Sequence, residues 1–170
     1  NNRINVVPKY CSAKIEVDSK IEEEVKAFLL SKVSEDIAFT KMQNEFYIET
    51  TGIQAHAAHP ELGKNAISSM VMLLNEMFNR FDVEDRLLRL LANNIRNETN
   101  GESLGIKHDN EELGDLTLNL ARLELKDGKI KAGMNLRIPG DVDLEEIKDK
   151  IEKAFDGLEV KFAGEKEALY

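Results

Sequence analysis

The sequence has one cysteine, Cys11, and opens on nothing resembling a signal peptide. A lone thiol cannot close an internal disulfide, so the fold must hold without staples. This usage fits a reducing compartment, and the chain reads as cytoplasmic. It also lacks any long uncharged apolar run, which argues against a membrane-spanning helix. Cations are the minority: 23 Lys and Arg stand against 32 Asp and Glu, a net charge of −9, and no Lys/Arg block overrides that sign. Nucleic acid and anionic lipid are therefore poor partners. Internal repeats, low-complexity tracts and Pro/Ser linkers are absent as well. What remains is 170 residues, 42% of them hydrophobic, enough to bury a core as a soluble globular domain. The opening Asn1-Asn2-Arg3, without methionine, predicts a piece of a longer protein.

Patterning predicts an α+β fold. Cys11, Ala13, Ile15 and Val17 alternate with polar residues as on a half-buried strand. Ser19 and Glu22 have capping-box spacing ahead of the stripe Ile21, Val25, Phe28 and Leu29, a helix ending near Lys32. Strands follow at Ala38–Met42 and Glu45–Thr51, turning at Gln43-Asn44. Pro60 and Glu61 suit a helix first turn, continued by Ala66, Ile67, Met70, Leu73, Leu74 and Met77. The first half thus reads β-α-β-β-α.

In the second half, Asp82 with Asp85 predicts a helix start, and Val83, Leu87, Leu90, Leu91 and Ile95 recur at helical spacing. Leu116, Leu118 and Leu120 alternate, then the phase slips to Leu123 and Leu125, which predicts a bulge near Ala121-Arg122. Asp127-Gly128 marks a hairpin turn, and the returning strand carries Ile130, Ala132, Met134, Leu136 and Ile138 on one face. Asp143 and Glu146 repeat the capping-box spacing before a last helix, and Leu158–Phe162 predicts a closing strand. The expected fold class is α+β: an antiparallel sheet with helices on one face, shared by two ferredoxin-like halves, about residues 1–80 and 81–170, that form a pseudo-dimer.

No complete reaction centre is legible from residue types alone. The only histidines are His56, His59 and His108, and Pro60 disfavours helical geometry at His59, so a closed zinc site would need carboxylates that no spacing identifies. His59 and His108 read as solvated loop residues. Cys11 lies on an apolar strand face, and neither an activated serine motif nor a glycine-rich phosphate loop occurs.

One stretch carries more. Gly52-x-x-Ala55-His56-Ala57-x-x-Pro60-Glu61-x-Gly63-x-Asn65-Ala66 resembles the signature of the inserted domain of co-catalytic zinc exopeptidases of the carnosinase, aminoacylase and carboxypeptidase G type. Arg3-Ile4-Asn5-Val6-Val7-Pro8 and Asn135-Leu136-Arg137-Ile138-Pro139 resemble that family's flanking segments. Leu104-Gly105-Ile106 to Asp109, with Gly114-Asp115-Leu116-Thr117-Leu118-Asn119, is similar to the dipeptidase V (Xaa-His dipeptidase) branch. The resemblance covers essentially the whole chain.

It implies a lid domain over a separate catalytic domain that binds two zinc ions and hydrolyses small unblocked peptides. His56 then matches the histidine that reaches across to donate a hydrogen bond to the oxyanion of the tetrahedral intermediate, a donor typically worth about 2.7–4 kcal/mol. Asn5 matches an amide that assists the same oxyanion, and Arg137 matches the arginine that grips the substrate's free carboxylate in a planar bidentate pair. Each also has a plainer reading: an exposed loop histidine, a polar residue at a strand start, a surface ion pair worth about 0–1 kcal/mol. Gly63, Asn65 and Gly133 read as turn, cap and close-packing residues. No segment resembles the family's zinc ligands or general-base glutamate, so this chain holds no metal site or cofactor of its own and is expected to be inactive without its catalytic domain, its partner alongside the dipeptide substrate. Two alternatives stand beside this: the dimerisation domain of a related acylase or desuccinylase, and a non-catalytic ferredoxin-like association module.

Overall fold

The computed structural model describes residues 5–164. Its elements are β1 (Tyr10–Glu16), α1 (Glu22–Lys32), β2 (Ile37–Met42), β3 (Glu45–Thr51), a 3₁₀ turn (Pro60–Leu62), α2 (Ala66–Arg80), α3 (Arg86–Asn94), β4 (Thr117–Lys126), β5 (Lys129–Arg137) and α4 (Leu144–Ala154). The α+β class and the order of the first half follow the hydrophobic periods. Antiparallel pairing gives the order β1-β3-β2, with Gln43 at φ 55° in the tight turn between β2 and β3. On β3, Phe46, Ile48 and Thr50 are buried while Tyr47, Glu49 and Thr51 face outward. The Thr50 hydroxyl donates to the Ala66 carbonyl at 2.7 Å and ties that strand to the start of α2.

Helix α2 buries Ala66, Ile67, Ser68, Met70, Val71, Leu73, Leu74 and Met77, more than one stripe, because it packs on β1 and β3 on one side and reaches β4 and α3 as well. A single core cluster runs through both halves, from Val25, Phe28 and Phe46 through Met70 to Leu91, Leu118 and Ile151. The hairpin of β4 and β5 turns at Asp127 (φ 53°) and Gly128 (φ 72°), two consecutive positive φ values that suit the right-handed strand twist. Its register shifts between Leu120 and Arg122. The extra residue keeps Leu118, Leu120, Leu123 and Leu125 on the face of Leu136, Met134, Ala132 and Ile130.

Five expectations are corrected. The strands form two sheets, three-stranded and two-stranded, with α2 between them in place of shared pairing. Ser19 and Glu22 make no capping box: α1 starts after Ile21 with no side-chain cap, Asp18 accepts from the Lys20 N–H instead, and Glu22 pairs with Lys41. The helix expected from Pro60 is broken, because Lys64 exchanges both backbone hydrogen bonds with Ile53, so α2 begins only after Asn65. Residues 158–164 form no strand; Leu158 and Val160 pack on the core while Glu159 and Lys161 pair with each other, so the alternation is satisfied by burial without a ladder. Asp85, not Asp82, caps α3, and Val83 lies outside that helix, exposed. Asp143 caps α4 through the Glu145 N–H.

Candidate functional site

The segment carrying His56 is held by its neighbours' lack of side chains. A Cβ on Gly52 would sit 2.0 Å from the Lys64 carbonyl oxygen, and one on Gly63 would sit 2.7 Å from the Ile53 oxygen and 2.9 Å from the Ala55 Cβ. Glycine at both places lets the chain before His56 lie directly against the chain after the 3₁₀ turn. On its other side this segment pairs with the start of the chain. The Val7 N–H donates to Ala55 O at 2.8 Å and the Ala57 N–H to Asn5 O at 3.0 Å, framing an antiparallel bridge between Val6 and His56. Asn5 and His56 are therefore brought together by backbone pairing, and both are exposed.

The imidazole of His56 is oriented. The Ala58 N–H donates to Nδ1 at 3.1 Å. A backbone amide can only donate, so Nδ1 is the acceptor nitrogen and the neutral ring carries its proton on Nε2. That leaves the Nε2–H as the ring's donor.

Arg137 ends β5 opposite Thr117 on β4. The Thr117 hydroxyl donates to the carbonyl of Ala57, next to His56, at 3.1 Å. Arg137 is exposed and, among the described residues, has no ion-pair partner. Two residues along β4, Asn119 is 2% exposed: its Nδ2 donates to Val6 O at 2.9 Å and its Oδ1 accepts from Asn65 Nδ2 at 3.0 Å. Asn65 also donates to Leu120 O at 2.8 Å and caps α2 by accepting from the Ile67 and Ser68 amides. One hydrogen-bonded network thus runs from the cap of α2 through β4 to the segments bearing Asn5, His56 and Arg137. Across the ladder from Asn119, the Asn135 Oδ1 is buried with no donor among the described residues.

The remaining chemically capable groups stand apart. His59 faces Glu61 at 3.3 Å, exposed. His108, half-buried, lies 2.9 Å from Asp141, which Asn110 also contacts at 2.8 Å; these hydrogen bonds, Asn110's first, hold the Asp141 carboxyl below its ordinary value. Cys11 is half-buried, and burial pushes its thiol up to about 11. Among the described residues no group of three or more His, Cys, Asp or Glu side chains is arranged to hold a metal ion, and no described helix is long and apolar enough to cross a membrane. An open cleft of about 230 Å³ at the N-terminus of α2 is lined by Lys64, Asn65, Ser68, Asn97, Thr99 and Asn119, but by none of Asn5, His56 and Arg137. All three are exposed.

Sequence reasoning passed over Thr117 and Asn119. Their signal was the pair of polar residues alternating with Leu116, Leu118 and Leu120, opposite the polar face of the strand that carries Arg137.

The chain belongs to the peptidase dimerisation domain family, which it matches over residues 40–162. A similar protein is "Putative dipeptidase YtjP" of Bacillus subtilis (strain 168), 30% identical over 163 residues, a match covering 89% of this chain. The chain spans about a third of that relative's length, 33%.

Proposed function

We propose that this chain is the lid domain of a cytoplasmic, zinc-dependent dipeptidase, supplying transition-state and carboxylate contacts to a catalytic domain in the full-length protein. The observation that carries the reading is the His56 ring, whose Nδ1 is occupied by the Ala58 amide and whose Nε2–H is left to donate, in a segment bonded to both the Asn5 segment and the strand pair of Arg137. When a lid closes on a peptide, that N–H meets the carbonyl oxygen as it gains charge, and a preorganised donor stabilises the transition state more than the ground state. Asn5 adds an amide donor beside it. Arg137, whose guanidinium has no ion-pair partner among the described residues, takes the free C-terminal carboxylate in a forked pair and so limits the substrate to short unblocked peptides.

The described side chains offer no ligand set for zinc, so no step here runs through a metal held by this chain. In this reading the catalytic domain would hold the zinc, which would supply the activated water. The lid supplies neither that water nor a base, and the isolated domain is inactive. The family's name favours a second reading, in which this surface associates with another subunit, as in a related acylase or desuccinylase.

The test is hydrolysis of a panel of free and C-terminally blocked dipeptides by the full-length protein. His56→Ala should lower kcat by about 10²–10³ with little change in KM. Arg137→Ala should abolish the preference for a free carboxylate, and Arg137→Lys should not restore it. Hydrolysis of acyl amides alone, by a stable dimer, would favour the second reading. Absence of any amide hydrolysis, or variants equal to the parent, would sink both.

A further inference from the structure

Two hydrogen bonds described separately above meet on one peptide group. Thr117 donates to the Ala57 carbonyl at 3.1 Å, and the N–H that holds His56 Nδ1, at 3.1 Å, is that of Ala58. The Ala57 C=O and the Ala58 N–H are the two ends of a single planar unit that cannot twist internally. Fixing one end fixes the direction of the other. The chain of contacts is therefore Thr117 Oγ1–H to O=C of residue 57, then N–H of residue 58 to His56 Nδ1, and hydrogen bonds in series polarise each other in the same sense.

We infer that Thr117 is the positioning residue for His56, setting both the aim of the ring and its Nε2–H tautomer through the 57–58 peptide. The inference rests on the lid reading for its effect on catalysis, but its structural half does not. Ala57 is suited to transmit the constraint: it is 1% exposed, with its own N–H bonded to Asn5 O. Among the described residues, the 57–58 plane without the Thr117 hydroxyl keeps only the bond to the ring it is meant to orient. Because Thr117 also stands opposite Arg137, the same residue fixes the histidine donor relative to the carboxylate-gripping arginine. The spacing between the two contacts on a bound dipeptide is thus built into β4, on the far side of the chain from the histidine motif. Asn119 supports the frame by holding Val6, the bridge partner of His56.

Asn119 is deeply buried and its removal risks the fold, so the informative variant is Thr117→Val, which keeps the shape of the side chain and deletes the donor. In the full-length enzyme it should lower kcat about tenfold, the worth of one oriented hydrogen bond, while KM for a free dipeptide stays within about twofold. Thr117→Ser should recover most of the loss. In a His56→Ala background Thr117→Val should have no further effect on kcat, since the group it positions is gone. Independently of activity, ¹⁵N chemical shifts of the His56 imidazole should report the Nε2–H form in the parent and in Thr117→Ser, and a mixture of tautomers in Thr117→Val. Unchanged shifts, or an equal loss of kcat with and without His56, would overturn the inference. If His56→Ala itself is silent while the shifts respond to Thr117→Val, the positioning stands and the lid reading fails.

Discussion

At Cys11 a single thiol records how closely the three-stranded sheet is covered. Desolvation holds its proton, raising its pKa from the ordinary 9.0 to about 11. The reactive species is the thiolate, and a rise of that size leaves roughly a hundredfold less of it near neutrality. Alkylation by iodoacetamide at pH 7.5 should accordingly run about a hundredfold slower in the native chain than in the urea-unfolded one, as followed by mass spectrometry. A comparable rate in both would mean that the face carrying Cys11 opens freely. Single residues are also where sequence reading of the candidate site begins and stops. His56, Asn5 and Arg137 could be picked out because each sits in a contiguous motif. The relay through Thr117 joins residues 60 positions apart, and no local pattern encodes a contact made only after two elements dock.

Among the elements, α2 shows most clearly what local patterning can and cannot specify. Its apolar spacing marked the helix, and Asn65 reads as a cap, but the break before it depends on Lys64 pairing with Ile53, a contact set by Gly52 and Gly63. The Ser19 box failed for a related reason: Asp18 took the turn and Glu22 found Lys41 across the fold. By contrast Asp85, Asp143, the Asp127-Gly128 turn and the slip at Ala121 are local choices with local physics, and they appear where the residues put them. Asn65 does two jobs, capping α2 and satisfying Asn119. Asn65→Ala should therefore cost about 2–4 kcal/mol in urea denaturation, about 1–2 for the cap and the rest for the acceptor left unpaired on Asn119. Asn65→Ser, which keeps only the cap, should recover part of it. Equal losses for both would show that the bridge to β4 carries the whole effect.

For the molecule as a whole, the decisive fact is that two sheets share one core through α2. Met70, fully buried at the centre of that helix, lies in the same cluster as Phe46 of the first sheet and Leu118 of the second. Met70→Ala should cost about 2–5 kcal/mol. Since the cluster is continuous, the chain should still unfold in one transition, with far-ultraviolet dichroism and tyrosine emission changing together. Two separated transitions would show that the halves are independent folding units. A single unit is also what a lid requires, since a hydrogen-bond donor and an arginine on different strands can act on one small substrate only if their separation does not drift.

The bulge at Ala121 divides the hairpin of β4 and β5 into two stretches with separate duties. On the near side, Thr117 and Asn119 face Arg137 and Asn135; on the far side the pairs are Arg122 with Gly133 and Glu124 with Lys131, ending at the exposed Leu125 and the tip. Because the phase of the strands is reset at the bulge, lengthening or trimming the tip by whole residue pairs leaves the near stretch in register. The tip is thus a natural mounting point for a fluorophore or spin label, placed away from Thr117, Asn119 and Arg137 at the other end of the hairpin.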